Sequence, residues 1–432
     1  MIAQIIFSLL FALAVIFFAV NIMKIRRNIN LGKPLDRTDH PGERWMTMAR
    51  VALGQSKMVV RPVAGIMHIF IYLGFVIINI EVLEIIIDGV AGTHRVFSFL
   101  GAFYNFLIGS FEILALLTLV ACFVFLIRRN VLRLKRFWMR EMTSFPRTDA
   151  NAILITEIFL MTAFLTMNAT DSVLQSRNYE HYLTAGAFPI SGIYTTLFSS
   201  MSSESLMMIE RTCWWAHIIG ILAFLNYLPY SKHFHILLAF PNVYYSNLEK
   251  KGKFTNMASV TQEVKLMLDP AAAAPEGYQS PTSFGAKDVY DLTWKNLMDA
   301  YSCTECGRCT SVCPANQTGK LLSPRKIMMD TRDRLEEVGK GIDKNGKDYR
   351  DEKNLFNYIQ EEELLACTSC NACTEACPVN IDPLNIITEM RRYLVMEQSK
   401  MPAEWQMMMN KIETNGAPWQ FAQSDRANWT NS

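Results

Sequence analysis

IAQIIFSLLFALAVIFFAVNIM, residues 2–23, contains no charged side chain. About twenty apolar residues rising about 1.5 Å each cross a hydrocarbon core of about 30 Å, so the stretch predicts a membrane span. The first charge, Lys24, follows the run, whereas a secretory signal carries its positive residues in front. The segment is therefore expected to remain as an anchor. Further apolar runs at 63–87, 99–127, 153–174 and 209–228 bring the expected number of spans to five, the fourth interrupted by Glu157, Asn168 and Asp171.

Beyond these runs the character of the chain changes. Residues 1–240 hold 20 Lys and Arg and 14 Asp and Glu, against 22 and 26 in residues 241–432, and the two halves cancel to a net charge of +2. The split excludes a single soluble globule, a disordered chain and a nucleic-acid binder recruited by a broad basic field. It predicts an all-α protein: a five-helix transmembrane domain at 1–240, a linker at 241–295 with a Pro-Ala tether at 269–275, and a cysteine-rich soluble domain at 296–432. The two domains are expected to fold on separate cores. Basic residues alternate from connection to connection, with nine at 24–62, one at 88–98, seven at 128–147 and one at 168–208. The positive-inside rule then places the N-terminus outside and the second half in the cytoplasm.

Two histidines, His68 and His217, fall inside expected spans, where an ionisable group is costly and usually functional, and imidazole is a common haem ligand. His217 and His235 are five helical turns apart, about 27 Å on one straight helix, and cannot share an iron. Pro229 between them permits a kink. A packing role is the plain alternative for each. Glu112, near the middle of the third span, and Glu81 and Glu84, in the second, are candidates for proton relay, with neutral packing carboxyls as the alternative. Arg50, Lys57, Arg61 and Lys232 fit haem propionates and fit the positive-inside rule equally well.

Eight of the ten cysteines lie in two runs, Cys303-x2-Cys306-x2-Cys309-x3-Cys313-Pro314 and Cys367-x2-Cys370-x2-Cys373-x3-Cys377-Pro378. Disulfides do not suit a reducing cytoplasm, and structural zinc favours separated pairs over compact runs of four. The spacing is that of bacterial ferredoxins, in which the fourth cysteine of each run serves the other cluster. Carried over, Cys303, Cys306, Cys309 and Cys377 hold one [4Fe-4S] cluster, and Cys367, Cys370, Cys373 and Cys313 the other. Good helix formers at 324–338 and 355–366 predict a mostly helical module.

Two resemblances sharpen this reading. The stretches Ala216-His217-Ile218-Ile219-Gly220 and Leu228-Pro229-Tyr230-Ser231-Lys232-His233-Phe234-His235-Ile236 resemble the last helix of the cytochrome b (gamma) subunit of respiratory nitrate reductase. That family implies one bis-histidine haem b on His68 and His235. It leaves His217 with His94, with His181 or without a partner, because Ile78 stands where the family has its fourth ligand. The cysteine module, with Ala315-Asn316-Gln317-Thr318-Gly319-Lys320, Arg391-Arg392-Tyr393 and the tail at 412–419, resembles heterodisulfide reductase and the membrane iron-sulfur oxidoreductases linked to electron-transfer flavoprotein. In one-chain relatives a Cys-Cys-Gly domain follows the tail; this sequence has none, and no nucleotide-binding motif. The resemblance implies the electron-transfer subunit of a quinone-linked oxidoreductase in a bacterial or archaeal cytoplasmic membrane. Electrons would pass between a cytoplasmic partner and menaquinone through two [4Fe-4S] clusters and haem b. The expected partner is a Cys-Cys-Gly-domain subunit or electron-transfer flavoprotein, beside membrane lipid and no nucleic acid. A redox-driven ion-pump subunit, and a haem-free iron-sulfur sensor on an anchor, are the rival readings. The pump needs a connected polar path, and the intramembrane carboxylates look scattered in sequence.

Overall fold

The computed structural model describes the chain apart from residues 251, 270, 272, 274–282, 420, 421 and 432, so most of the expected tether at 269–275 lies outside the described residues. Five helices are long and apolar enough to span a membrane: Ile2–Ile29, Pro62–Ala91, Ala102–Val131, Phe145–Ser176 and Ser203–Tyr230. Each continues beyond its apolar run, because an established helix adds polar residues such as Lys24 and Arg26 at little cost. Spans adjacent in sequence pack side by side and the first also meets the fifth, closing a ring. The fourth is the most enclosed, with 50% of its apolar window buried, and its Asn168 and Asp171 face inward.

His217 and His235 do not lie on one continuous helix. Pro229 lacks an amide hydrogen and crowds the preceding turn, and the chain passes through 3-10 turns at Leu228–Tyr230 and Lys232–Phe234 before a new helix, His235–Tyr244, begins. The two histidines therefore need not point the same way.

The second half is helical as well, and the described residues form no strand. A helix runs over Pro324–Asn345, whereas the helix expected at 355–366 is reduced to a 3-10 turn at Leu355–Asn357 and one turn at Glu361–Leu365. Packing of the module starts upstream of residue 296, since Ala286, Val289 and Leu292 are already buried in it.

Separate cores, expected from sequence, are not found. Ile25 and Ile29 of the first span, and Leu228 and Phe234 after the fifth, belong to the same apolar cluster as Leu297, Ile327, Leu335, Ile386 and Met390 of the cysteine module. One isolated bridge joins Lys33 to Thr293, with the Lys33 amide donating to Leu292 O at 2.7 Å and the Trp294 amide to Lys33 O at 3.1 Å. Gly32 makes this approach possible, as a Cβ there would lie 2.5 Å from the Trp294 nitrogen.

Candidate functional site

The two cysteine runs adopt the same backbone twice. In each, the residue before the second cysteine and the residue after it have positive φ: Glu305 (53°) and Gly307 (70°), then Ser369 (57°) and Asn371 (60°). These left-handed steps curl the chain so that successive thiols face one centre. A short helix follows in each run, Arg308–Val312 and Ala372–Ala376, and the two helices pack against each other. That packing carries the end of one run to the start of the other. Cys309 interacts electrostatically with Cys306, Cys303 and Cys377, and Cys377 with Cys306 and Cys303. Cys313 interacts with Cys367 and Cys370, and Cys373 with Cys367. The thiols thus fall into two crossed groups of four, linked where Cys309 also meets Cys373.

The donor set suits a cluster better than a single ion. Four thiols in each group are the donor set of a [4Fe-4S] cluster, and among the described residues no three His, Cys, Asp or Glu side chains are gathered as a site for a single metal ion. None of the eight cysteines is paired in a disulfide. Burial pushes Cys303 up to about 11 and Cys373 and Cys377 up to about 12, so holding them as thiolates needs positive charge that iron would supply. Backbone amides of Ser369 and Ile381 point at the sulfurs of Cys367 and Cys377, at 3.4 and 3.3 Å, a contact of the kind that tunes cluster potentials.

Cys306 also lines a cavity of about 450 Å³ that runs into the membrane bundle and is walled by His68, His217, His233 and His235. The rings of His68 and His235 are 6.4 Å apart, centroid to centroid, and inclined by 43°. The Nδ1 of His235 is 3.0 Å from Lys232 O, which leaves Nε2 with the lone pair, and buried Nδ1 of His68 has no hydrogen-bond partner. His217 is not brought to this pair: its Nδ1 is 3.0 Å from Leu160 O and its ring packs on Phe164. His94 and His181 meet one another instead, 5.3 Å apart.

Sequence reasoning missed the joint beside this cavity. Glu305, inside the first cysteine run, is ion-paired with Lys232, three residues before His235, and with Arg332 at 2.9 Å. Burial raises its carboxyl, but Lys232 and Arg332 more than offset this and hold it below the ordinary carboxylate value. A lone acid within a cysteine run was the available signal. Arg308 adds bonds to Lys57 O and Met58 O at 2.7 and 3.1 Å, and Arg61 donates to Ser311 Oγ at 2.7 Å.

Three of the intramembrane carboxylates, Glu84, Glu112 and Asp171, scattered in sequence, join one network at the end of the bundle remote from the cysteines. Glu112 accepts from the amides of Ile190 and Ser191 at 2.9 and 3.2 Å, from Asn168 at 3.1 Å and from the Ser191 hydroxyl. Asn168 also accepts from Arg95 at 3.0 Å, and Arg95 reaches Asp171 at 2.6 Å and Tyr104 at 3.1 Å. Tyr104 donates to Glu84 at 2.9 Å. Glu81 is 3% exposed and its Oε2 has no partner.

Comparison with known proteins follows the same division. A family profile described as "4Fe-4S dicluster domain" matches residues 299–381. Over 98% of its length the chain is 28% identical to the probable iron-sulfur-binding oxidoreductase FadF of Bacillus subtilis, covering 60% of that protein. Over 91% it is 26% identical to the EtfAB:quinone oxidoreductase of Syntrophomonas wolfei, covering 55%. A subunit of the ferredoxin/F(420)H(2)-dependent CoB-CoM heterodisulfide reductase of Methanosarcina acetivorans is 32% identical over 27% of the chain, which covers 60% of that relative. The chain thus spans little more than half the length of the first two relatives. No solved structure matches. The chain is thus similar to iron-sulfur oxidoreductases along nearly its whole length, and five of its helices are long and apolar enough to cross a membrane.

Proposed function

We propose that the chain carries electrons between a cytoplasmic redox partner and the menaquinone pool. Cys303, Cys306, Cys309 and Cys377 would hold one [4Fe-4S] cluster, Cys367, Cys370, Cys373 and Cys313 the second, and His68 and His235 a haem b. The observation that carries this reading is the His68–His235 pair facing across a cavity walled by Cys306. The two rings, 6.4 Å apart at the cavity wall, would hold such a group between them, imidazole being a common haem ligand. When bound, each of these groups takes up and releases one electron at a time.

The chain's own residues do the rest. The Lys232 carbonyl orients His235, and the Lys232 ammonium clamps Glu305, so one residue ties the first cysteine loop to the histidine turn. Phe125, Ile221 and Phe224 give the cavity a largely apolar wall. The partner would be an electron-transfer flavoprotein or a Cys-Cys-Gly-domain heterodisulfide-reductase-like protein, as the names of the relatives suggest. Alternation of basic connections supports an N-terminus outside and the clusters in the cytoplasm of a bacterial or archaeal cell, within membrane lipid.

The test is an optical spectrum of detergent-purified protein, oxidised and then dithionite-reduced, with haem and iron measured against protein. A sharp reduced b-type band with one haem and eight non-haem irons per chain is expected. Iron without haem would overturn the haem assignment and favour a sensor. Redox-linked ion translocation is a second reading, favoured by the continuous Glu112–Asn168–Arg95–Tyr104–Glu84 network beside Glu81. Proteoliposomes that turn over without acidifying or alkalising their lumen beyond the scalar quinone protons would dismiss it.

A further inference from the structure

The cavity is longer than one haem pair explains. Its wall on the second span runs from Ala64 past His68, Tyr72 and Phe75 to Asn79 and Val82, about 27 Å of helix at about 1.5 Å per residue. His68 and His235 occupy the end near the cysteines. At the deep end the wall is mostly apolar, and three polar side chains there are left over by everything described above.

The first is Thr118. It is 4% exposed, and its hydroxyl has no hydrogen-bond partner. Helical threonines ordinarily return the hydroxyl to the carbonyl one turn back, and Thr162, Thr170 and Thr212 of the same bundle do so. Thr118 instead lies over Gly74, where a Cβ would come within 2.6 Å of the hydroxyl oxygen. The second is His217, 2% exposed. Donation from Nδ1 to Leu160 O at 3.0 Å fixes the tautomer and leaves a lone pair on Nε2. Among the described residues no second imidazole stacks on His217, the other close histidine pairs being His68 with His235, His233 with His235, and His94 with His181. The third is Glu157, in the cavity wall on the same span as Leu160, with no hydrogen bond or ion pair recorded among the described residues. A long apolar slot with a few convergent polar groups is the usual form of a small-molecule site.

We propose that this deep end binds the head group of a quinone, with Thr118 and His217 as its polar contacts and Glu157 as a proton carrier. The inference rests on the quinone-linked reading above and deepens it. A quinone is a flat apolar ring with two carbonyl acceptors, and its quinol presents two hydroxyl donors at the same positions. A threonine hydroxyl can donate to the one and accept from the other, and the Nε2 lone pair accepts from the quinol. In the oxidising direction both quinol O–H bonds break. One proton would pass to His217 Nε2 and one to Glu157, and the two electrons would be taken up one at a time by the haem that His68 and His235 would hold. Quinone reduction runs the same steps in reverse.

The experiment uses the full chain in detergent and the quinone analogue menadione, titrated by quenching of tryptophan fluorescence; Trp214 lies one turn from His217 on the fifth span. Saturable binding to the wild type is expected. Thr118→Val is expected to weaken menadione binding about tenfold or more, as loss of a buried hydrogen bond does, and His217→Gln, whose imidazole accepts only from the quinol, to weaken binding of the reduced form, menadiol, titrated without oxygen, with haem, iron and melting temperature unchanged. Thr118→Ser, which keeps the hydroxyl, should bind as the wild type. Wild-type affinity in both damaging variants would overturn the proposal, as would loss of haem from His217→Gln, which would make His217 an iron ligand. Menadione bound by a haem-free wild type would support the site while removing the haem from the electron route.

Discussion

At the scale of the residue, Glu305 carries the most consequence. It stands between two cysteines in a left-handed conformation, yet its carboxylate is buried against Lys232 and Arg332. Removing one member of such a group leaves the other charges unpaired inside the protein, at a cost of about 3–5 kcal/mol. Glu305→Gln is therefore expected to lower the melting temperature clearly in differential scanning fluorimetry, and adding Lys232→Met should recover part of the loss. A single variant that melts with the wild type would mean that the joint adds nothing. His68→Ala has a different expected signature: the reduced b-type band disappears and the iron-sulfur signals in electron paramagnetic resonance stay. Much at this scale was legible, because the functional types announce themselves; cysteines spaced C-x2-C-x2-C-x3-C-P and a histidine in an apolar run are rare without cause. The Lys232–Glu305 pair was not, since its members are 73 positions apart and each looks ordinary alone. Nor was Arg95, which the positive-inside count treats as a connection residue and the fold buries among Asp171, Asn168 and Tyr104.

At the scale of the element, the repeated cysteine loop and the helix break at Pro229 do most to place the centres. Because Arg308–Val312 packs on Ala372–Ala376, each run ends beside the other's first three thiols. Cys377→Ser should accordingly give the spectrum of Cys303→Ser, and Cys313→Ser that of Cys367→Ser, when the reduced variants are compared by electron paramagnetic resonance. If Cys377→Ser instead resembles Cys367→Ser, the runs are not crossed. The five spans were readable from length and hydropathy alone, since lipid leaves a helix few alternatives. The break was only half readable: Pro229 marks where a helix weakens, but the direction in which the chain leaves is set by tertiary contacts, here the Asp149 carboxylate accepting from the Ser231 hydroxyl at 2.7 Å and the Lys232 amide at 3.2 Å. A straight-helix reading consequently told nothing of which way either ring faces.

At the scale of the whole molecule, the shared core changes what a local lesion does. Composition alone argued for two bodies, because the charge density changes near residue 240 and burial across the joint leaves no trace in either half. The structure instead buries Ile25, Ile29, Leu228 and Phe234 with the module's own apolar residues. Side chains of this size contribute about 1.5–3 kcal/mol each when fully buried, a sum comparable with the roughly 5–15 kcal/mol that holds a domain folded. The bridge at Lys33 and Thr293 and the Asn28–Tyr301 hydrogen bond at 2.9 Å tie the same surfaces. Neither half retains its stability alone on this account. Heating the purified protein while following cluster absorbance near the visible shoulder and haem absorbance at the Soret band is expected to show one transition at one temperature. Gly32→Ala, which forces a methyl group against the Trp294 backbone, should move both curves down together, by the about 1–3 kcal/mol of an overpacked contact. Two separated transitions, or a Gly32→Ala shift confined to the cluster curve, would restore the picture of independent domains. The coupling also shapes the cavity: its wall is drawn from both halves, Cys306, Arg308 and Val379 on one side and His68, Phe224 and His235 on the other, so the proposed electron route between them requires the two to stay docked.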